Sequence, residues 1–310
     1  MTFTGTTRSC RPSSWAIVLA GGSGKRLETL TRELFGVPVP RQFCSFGGGR
    51  SLLQETIRQI RPLFGASRTL VVANSSHRAV ASRELQAAGG GVLVEQPSDR
   101  GTAPGVLLPL MHVLERDPDA TVTLFPSDHG IGDSALFNRG LWWARTAVEE
   151  SSSLVVVGAV QATTPETDYG WIVPEEMATG PDGLALQRIV RFVEKPAAEE
   201  ARQLLATGAL WSTLVVVAKA STLFELCRQH LGSVTEFFQE YAGRSRKSRE
   251  AWLKKNYATL PVTNFSRELL AAAASLWALV WPERLAWTDL GTPNRLVRWL
   301  DRRRCGSVLT

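Results

Sequence analysis

The segment Trp15 to Leu30 reads WAIVLAGGSGKRLETL, an apolar run that ends against Gly21, Gly22, Ser23, Gly24, Lys25 and Arg26. A strand ending in such a turn exposes backbone N–H groups, and cations just beyond it favour a phosphate at that spot. The spacing narrows the choice of motif. A Walker A loop needs a glycine four residues ahead of the Gly-Lys pair and a Ser or Thr after it, but Leu19 and Arg26 stand there. A dinucleotide fingerprint needs a third small residue where Leu27 stands, so helix and strand would be held apart. A third kind of phosphate loop remains open.

Other polar residues collect behind apolar runs in the same way. Gln96 to Pro104 (QPSDRGTAP) follows GGVLVEQ, and Pro126 to His129 (PSDH) follows ATVTLF. In parallel α/β sheets ligands bind beyond the carboxyl ends of the strands, so these blocks outline one pocket. Farther along, TDYGWI, FVEKP and WTDLG add carboxylates and Lys195. His129 reads as a satisfied, partly buried histidine rather than a ligand.

The elements that must position these residues alternate. Short β-branched runs (WAIVLA, TLVVAN, SLVVVGAV, LVVVA) separated by amphipathic stretches predict an α/β domain with a mostly parallel sheet flanked by helices. Ser51 to Gln54 has a capping-box pattern, with Leu53, Ile57 and Ile60 on one helical face, and Asp133 can cap a helix through Glu150. Trp142 and Trp143 on that helix read as packing residues. One domain is expected over residues 15–300, after a loose extension over 1–14 and before a basic tail over 301–310.

Composition excludes several classes. With 44% hydrophobic and 21% charged residues, the 310-residue chain reads as an ordinary globular protein. Its four cysteines are scattered without a C-x-x-C pair, which argues against zinc and disulfide frameworks and suits a reducing cytoplasm. The most apolar stretch, Leu269 to Trp281, falls short of the ~20 residues that span a bilayer, so no membrane partner is expected. The net charge of +6 gathers at GRSRKSRE and DRRRC, without the interleaved aromatics of a single-strand nucleic-acid surface. Nucleic acid is not expected as a partner.

Taken in order, the blocks resemble the sugar-1-phosphate nucleotidyltransferases, and among them the mannose-1-phosphate guanylyltransferases. The family pattern A-G-G-x-G-x-R-L then P-K-Q-F is met by Ala20 to Leu27 and by Pro40-Arg41-Gln42-Phe43. RGTAPG, FPSDH, YGWI, FVEKP and WTDLG follow in family order, and the resemblance covers the chain from Trp15 to about Leu300. It implies a single Rossmann-like domain without the C-terminal isomerase domain of bifunctional members. The implied reaction is attack by the phosphate oxygen of a hexose 1-phosphate on the α-phosphorus of a nucleoside triphosphate, releasing pyrophosphate. No general base is needed, because the nucleophile is already an anion.

The resemblance also implies residue roles. Asp128 and Asp289 match the Mg²⁺-binding aspartates. Arg26, with the Gly21, Gly22, Ser23 and Gly24 backbone and Lys25, would steady the triphosphate, and Arg41 stands in the same nucleotide-binding set. Gln96, Gly101 and Thr102 fall where the base is contacted. Lys195 would bind the sugar phosphate, with Glu194, Gly170 and Ser212 facing the sugar. The implied substrates are GTP and mannose 1-phosphate, in a cytoplasmic enzyme whose oligomeric state stays open, a homo-oligomer included. Three departures bear on this: Arg41 for the usual lysine, WST at Trp211 to Thr213 for W-N-S, and Asn264 near where an acidic residue is more frequent. The alternatives are a uridylyl- or thymidylyltransferase acting on glucose 1-phosphate, or a catalytically degenerate nucleotide-sugar sensor.

Overall fold

The computed structural model describes residues 13–22, 24–175 and 181–306. The extension expected over 1–14 lies outside them except for Ser13 and Ser14, and Ser14 already belongs to the first strand. The elements are β1 (Ser14–Leu19), α1 (Glu28–Phe35), α2 (Leu52–Ile60), β2 (Thr69–Asn74), α3 (Arg78–Ala87), β3 (Val92–Gln96) and α4 (Thr102–Arg116). Next come β4 (Thr121–Pro126), β5 (His129–Gly130), α5 (Ser134–Glu150), β6 (Val155–Gln161), β7 (Gly170–Pro174), β8 (Ala185–Glu194) and α6 (Ala198–Ala206). The chain continues through β9 (Leu210–Lys219), α7 (Ala220–His230), α8 (Gly232–Gly243), α9 (Arg246–Asn256), β10 (Leu276–Trp281), β11 (Thr288–Asp289) and α10 (Pro293–Gly306).

Among the described residues a nine-stranded sheet runs in the order β3-β2-β1-β4-β9-β6-β10-β8-β7. The strands β3, β2, β1 and β4 are mutually parallel, which brings the carboxyl ends of β1, β3 and β4 to one edge. Beyond them the sheet is mixed, with β9 antiparallel between β4 and β6. Period-two alternation divides the strand side chains between two cores. Trp15 and Ile17 face α4, α7 and α8 on one side, while Ala16 and Val18 face α2, α3 and α5 on the other. Both faces are therefore covered, as continuous apolar strands require.

The helix signals act locally as their chemistry dictates. The Ser51 hydroxyl accepts the Gln54 N–H while the Gln54 side chain accepts the Ser51 N–H, and Leu53, Ile57 and Ile60 are buried below. Asp133 accepts the Leu136 N–H at 2.8 Å and caps α5. Trp143 packs against the core, but Trp142 is 59% exposed, contrary to its expected packing role. The two are neighbours on a helix, so they point about 100° apart, and Trp142 falls beyond the edge of the buried stripe that Leu141 and Ala144 belong to. The domain boundary expected at Leu300 falls inside α10, which continues to Gly306. The apolar stretch Leu269 to Trp281 divides between a π-turn and β10, and no helix among the described residues is long and apolar enough to cross a membrane.

A third, smaller apolar cluster joins Leu27, Phe46 and Leu52 to Leu290, Leu296 and Trp299. It fastens the helix after the glycine turn to the last helix.

Phe125 is 1% exposed and sits edge-on to Phe64 and Phe137, with centroids 5.7 and 6.3 Å away. Phe125→Ala is expected to cost about 3–5 kcal/mol in urea unfolding, and Trp142→Ala less than about 0.5 kcal/mol. Comparable losses in the two variants would refute the assignment of core and surface.

Candidate functional site

The glycine turn leaves β1 and enters a short 3₁₀ turn at Lys25–Leu27 before α1. Gly24 takes φ +68° and packs against the backbone of Pro40 and Arg41, so the turn rests on the PRQF block. Gln42, 3% exposed, donates from Nε2 to the carbonyls of Ala20 and Gly22 at 2.9 and 2.8 Å. Ser127 donates to the Leu19 carbonyl at 2.7 Å. Two strand-end blocks and the PRQF turn are thus stitched together by hydrogen bonds that no sequence spacing displays.

The two aspartates meet through a second sheet of two residues per strand. β5 and β11 are antiparallel, with Gly130 opposite Thr288 and His129 opposite Asp289. Asp128 lies one residue before this bridge. The Trp287 indole donates to His129 Nδ1 at 3.2 Å, so the neutral ring carries its proton on Nε2, 4.0 Å from Asp128 Oδ1. Burial drives His129 toward its neutral form, against the pull of Asp128 and Asp289. It is the satisfied histidine expected from the sequence.

Both aspartates hold arginines. Arg41 Nε lies 2.5 Å from Asp128 Oδ2, so the guanidinium expected at the triphosphate is engaged with a carboxylate. Asp289 Oδ1 accepts the Gly291 N–H at 2.8 Å and Arg295 Nη1 at 2.8 Å. The other arm of Arg295 pairs with Glu166, and its guanidinium lies 4.5 Å over the Tyr169 ring. Burial pushes the Asp289 carboxyl up, but the opposing pull of His129, the Gly291 N–H, Arg295 and Arg41 outweighs it, leaving it below the usual carboxylate range. Among the described residues no three His, Cys, Asp or Glu side chains form a metal cage. Asp128 Oδ1 and Asp289 Oδ2 nevertheless stay outside the arginine contacts, and two carboxylate oxygens completed by phosphate and water suit Mg²⁺.

Lys195 and Glu194 arrive at the end of β8, where Glu194 is paired with Gly170 of β7. Lys195 adopts φ +52°, its N–H donates to the Tyr169 carbonyl at 3.0 Å, and Nζ lies 3.7 Å from Glu194 Oε1. A left-handed lysine costs about 1–2 kcal/mol, and such strain tends to gather where a side chain must be aimed. Burial raises the Glu194 carboxyl, against the opposing pull of Lys195 and Arg267. Ser212 accepts the Leu214 N–H at 3.3 Å and supports a bulge in β9, where Leu214 takes φ +58°.

On the far side, the N-terminus of α4 is tied to the segment around Thr263. Ala103 N–H donates to the Thr263 carbonyl at 3.1 Å, and the Thr102 hydroxyl accepts the Phe265 N–H at 2.8 Å. Gln96 is buried beside the glycine turn and accepts the Tyr257 hydroxyl at 3.4 Å. Asn264 accepts the Arg267 N–H, so the departure from an acidic residue leaves a working cap.

These parts enclose one cavity of about 670 Å³. Gly21, Gly22, Gly24, Arg26, Arg41, Gln96, Gly101, Thr102, Asp128, Gly170, Glu194, Lys195, Ser212 and Asp289 all line it. Ser23 lies outside the described residues, and Lys25 is placed only by its backbone. Sequence reasoning missed Asp168, which pairs with Arg26 at 3.3 Å, together with Tyr169, Trp287, Arg267 and Arg295. The first three sat inside quoted blocks without a role. Arg295 lies six residues beyond Asp289 and carried no motif signal at all.

Comparison with known proteins gives a consistent picture. The nucleotidyl transferase family profile matches residues 15–302. The alginate biosynthesis protein AlgA of Pseudomonas putida KT2440 is 30% identical over 89% of this chain and 56% of its own length. Mannose-1-phosphate guanylyltransferase 2 of Escherichia coli O157:H7 is 27% identical over 89% and 58%. The chain therefore spans a little over half the length of the curated relatives it matches. A crystal structure described as mannose-1-phosphate geranyltransferase from Thermus thermophilus superposes with a TM-score of 0.76 at 31% identity, over 90% of this chain and 76% of that one. A UDP-glucose pyrophosphorylase bound to UDP-glucose shares the fold, with a TM-score of 0.61 at 12% identity, over 95% of this chain and 99% of that one.

Gly101 has φ +86°, and a Cβ there would sit 2.3 Å from the Thr263 carbonyl oxygen. Gly101→Ala is expected to lower stability by at least about 2 kcal/mol. Gly22, whose added Cβ would meet nothing within 4 Å, is the control: Gly22→Ala should unfold within about 0.5 kcal/mol of wild type. A Gly101→Ala protein as stable as wild type in urea titrations would contradict the described docking of α4.

Proposed function

The chain belongs to the nucleotidyl transferase family, and from that premise we propose that it transfers GMP from GTP to mannose 1-phosphate, releasing pyrophosphate. The observation that carries this reading is that the glycine turn, Arg26, Lys195, Asp128 and Asp289 all line one cavity. A triphosphate suits the donor-rich turn, and a second phosphate suits Lys195 beside the sugar-facing Glu194. The attacking phosphate oxygen is already an anion, so no side chain has to accept a proton. His129 fits this economy, since its Nδ1 is taken by Trp287.

Catalysis of this kind rests on positioning and charge neutralisation. Arg26 would steady the triphosphate and the departing pyrophosphate, and Lys195 would hold the nucleophile's phosphate toward the α-phosphorus. Asp128 and Asp289 are the residues that would hold Mg²⁺, whose chemistry is to neutralise charge on the phosphates. Arg41 and Arg295 hold the two carboxylates in place until then. We place the reaction in the cytoplasm, in line with two free cysteines, Cys44 and Cys227, among the described residues.

A second reading, a nucleotide-sugar sensor without turnover, is favoured by the arginine held on each aspartate. A pyrophosphate-release screen of four nucleoside triphosphates against a panel of sugar 1-phosphates separates the readings. GTP with mannose 1-phosphate should be the best pair. A more than tenfold preference for UTP or dTTP with glucose 1-phosphate would overturn the guanylyl assignment, and GTP binding without any release would favour the sensor. Lys195→Ala should weaken mannose 1-phosphate far more than GTP, by about 1.5–3 kcal/mol for one charge-assisted contact; equal weakening of both would remove Lys195 from its role. Asp289→Asn should lower kcat on the order of 10³-fold with a smaller change in GTP binding, and near-wild-type turnover would sink the metal assignment.

A further inference from the structure

We propose that Gln42 and Ser127 are positioning residues that hold the Leu19, Ala20 and Gly22 carbonyls off the bound phosphates and leave the Gly21 N–H to meet them. The inference rests on the triphosphate reading of that turn and adds how the turn is kept selective for anions.

A peptide unit is planar and trans, so the carbonyl of one residue and the N–H of the next point in opposite directions. Tying down a carbonyl therefore aims the following N–H. Ser127 Oγ holds the Leu19 carbonyl at 2.7 Å, and the Ala20 N–H of that same unit donates to the Val72 carbonyl at 2.8 Å. Gln42 Nε2 holds the Ala20 carbonyl at 2.9 Å, which turns the Gly21 N–H away from Gln42. The same nitrogen holds the Gly22 carbonyl at 2.8 Å. Among the described residues the N–H groups of Gly21 and Gly22 meet no protein acceptor, and both glycines border the cavity.

Only an amide suits position 42. Its NH₂ supplies two donors to two carbonyls, whereas a glutamate at that place would set an acceptor against acceptors. A lysine or arginine would donate, but its charge would draw the phosphate onto itself. Gln42 and Ser127 are 3% and 2% exposed, so neither bond is exchanged for water. A carbonyl released toward the cavity would instead put a partial negative charge beside the phosphates.

The test compares wild type, Gln42→Met and Gln42→Glu by calorimetry with inorganic tripolyphosphate and, separately, mannose 1-phosphate. Tripolyphosphate affinity is expected to fall on the order of tenfold in Gln42→Met and further in Gln42→Glu, since hydrogen bonds to charged groups carry most of such binding. Mannose 1-phosphate affinity should stay near wild type, and the KM for GTP should rise more than kcat falls. Unchanged tripolyphosphate affinity, or equal loss for both ligands, overturns the proposal. Amide exchange in the wild-type protein covers variants that do not fold: pyrophosphate should slow exchange at Gly21, and no change there on binding also overturns the proposal. Wild type that binds neither GTP nor tripolyphosphate would bring down the triphosphate reading first, and that result needs no variant.

Discussion

Two antiparallel residue pairs, Gly130 with Thr288 and His129 with Asp289, carry the arrangement of the candidate site. They bring a strand end from the parallel half of the sheet against a segment that arrives only after β10. Everything nearby depends on that register. It sets Trp287 on His129, His129 beside Asp128, and Asp289 within reach of Arg295. A slip of one residue would turn Asp289 to the other face of the ribbon. The bridge is short, so it needs outside support, which comes from Trp299 of α10. A Cβ at Gly130 would lie 2.3 Å from the Trp299 indole nitrogen, and the absence of a side chain there lets the last helix close on the site.

The electrostatics follow from the same closure. Gathering Asp128, Asp289 and Glu194 around one cavity has a desolvation cost, and the chain offsets it with Arg41, Arg295 and Arg267 from other elements and with Lys195 next to Glu194. These partners differ in kind. Arg295 is a fork with one arm on Asp289 and one on Glu166, resting on the Tyr169 face, and so is orienting by geometry as well as by charge. Lys195 is a point charge on a flexible stem, held by a strained backbone instead. A fixed fork suits a group that must hold a carboxylate still.

The wider fold serves these contacts by separating two jobs. Strands covered on both faces give a rigid edge, and the residues with chemistry sit just past that edge, where backbone groups are unpaired and free to bind. The antiparallel additions β7, β8 and β9 bring a second wall, with Glu194 and Lys195 on one side and the Leu214 bulge on the other. The parallel half alone would supply the glycine turn without this second wall.

Much of this was legible in the sequence because it is local. The apolar runs, the capping box at Ser51, the cap at Asp133 and the glycine turn all act over a few residues, where side-chain type and spacing determine the outcome. Asp128, Lys195 and Asp289 could be singled out because each sits in a recognisable block. What only the tertiary structure decided are pairings across long separations: Arg41 with Asp128, Arg295 with Asp289 and Glu166, Arg26 with Asp168, and Gln42 with the carbonyls of Ala20 and Gly22. The exposure of Trp142 and the length of α10 belong with these. A hydrogen bond or ion pair has a reach of a few ångströms and no dependence on chain distance, so its partner is chosen by packing and leaves no spacing for a sequence to display.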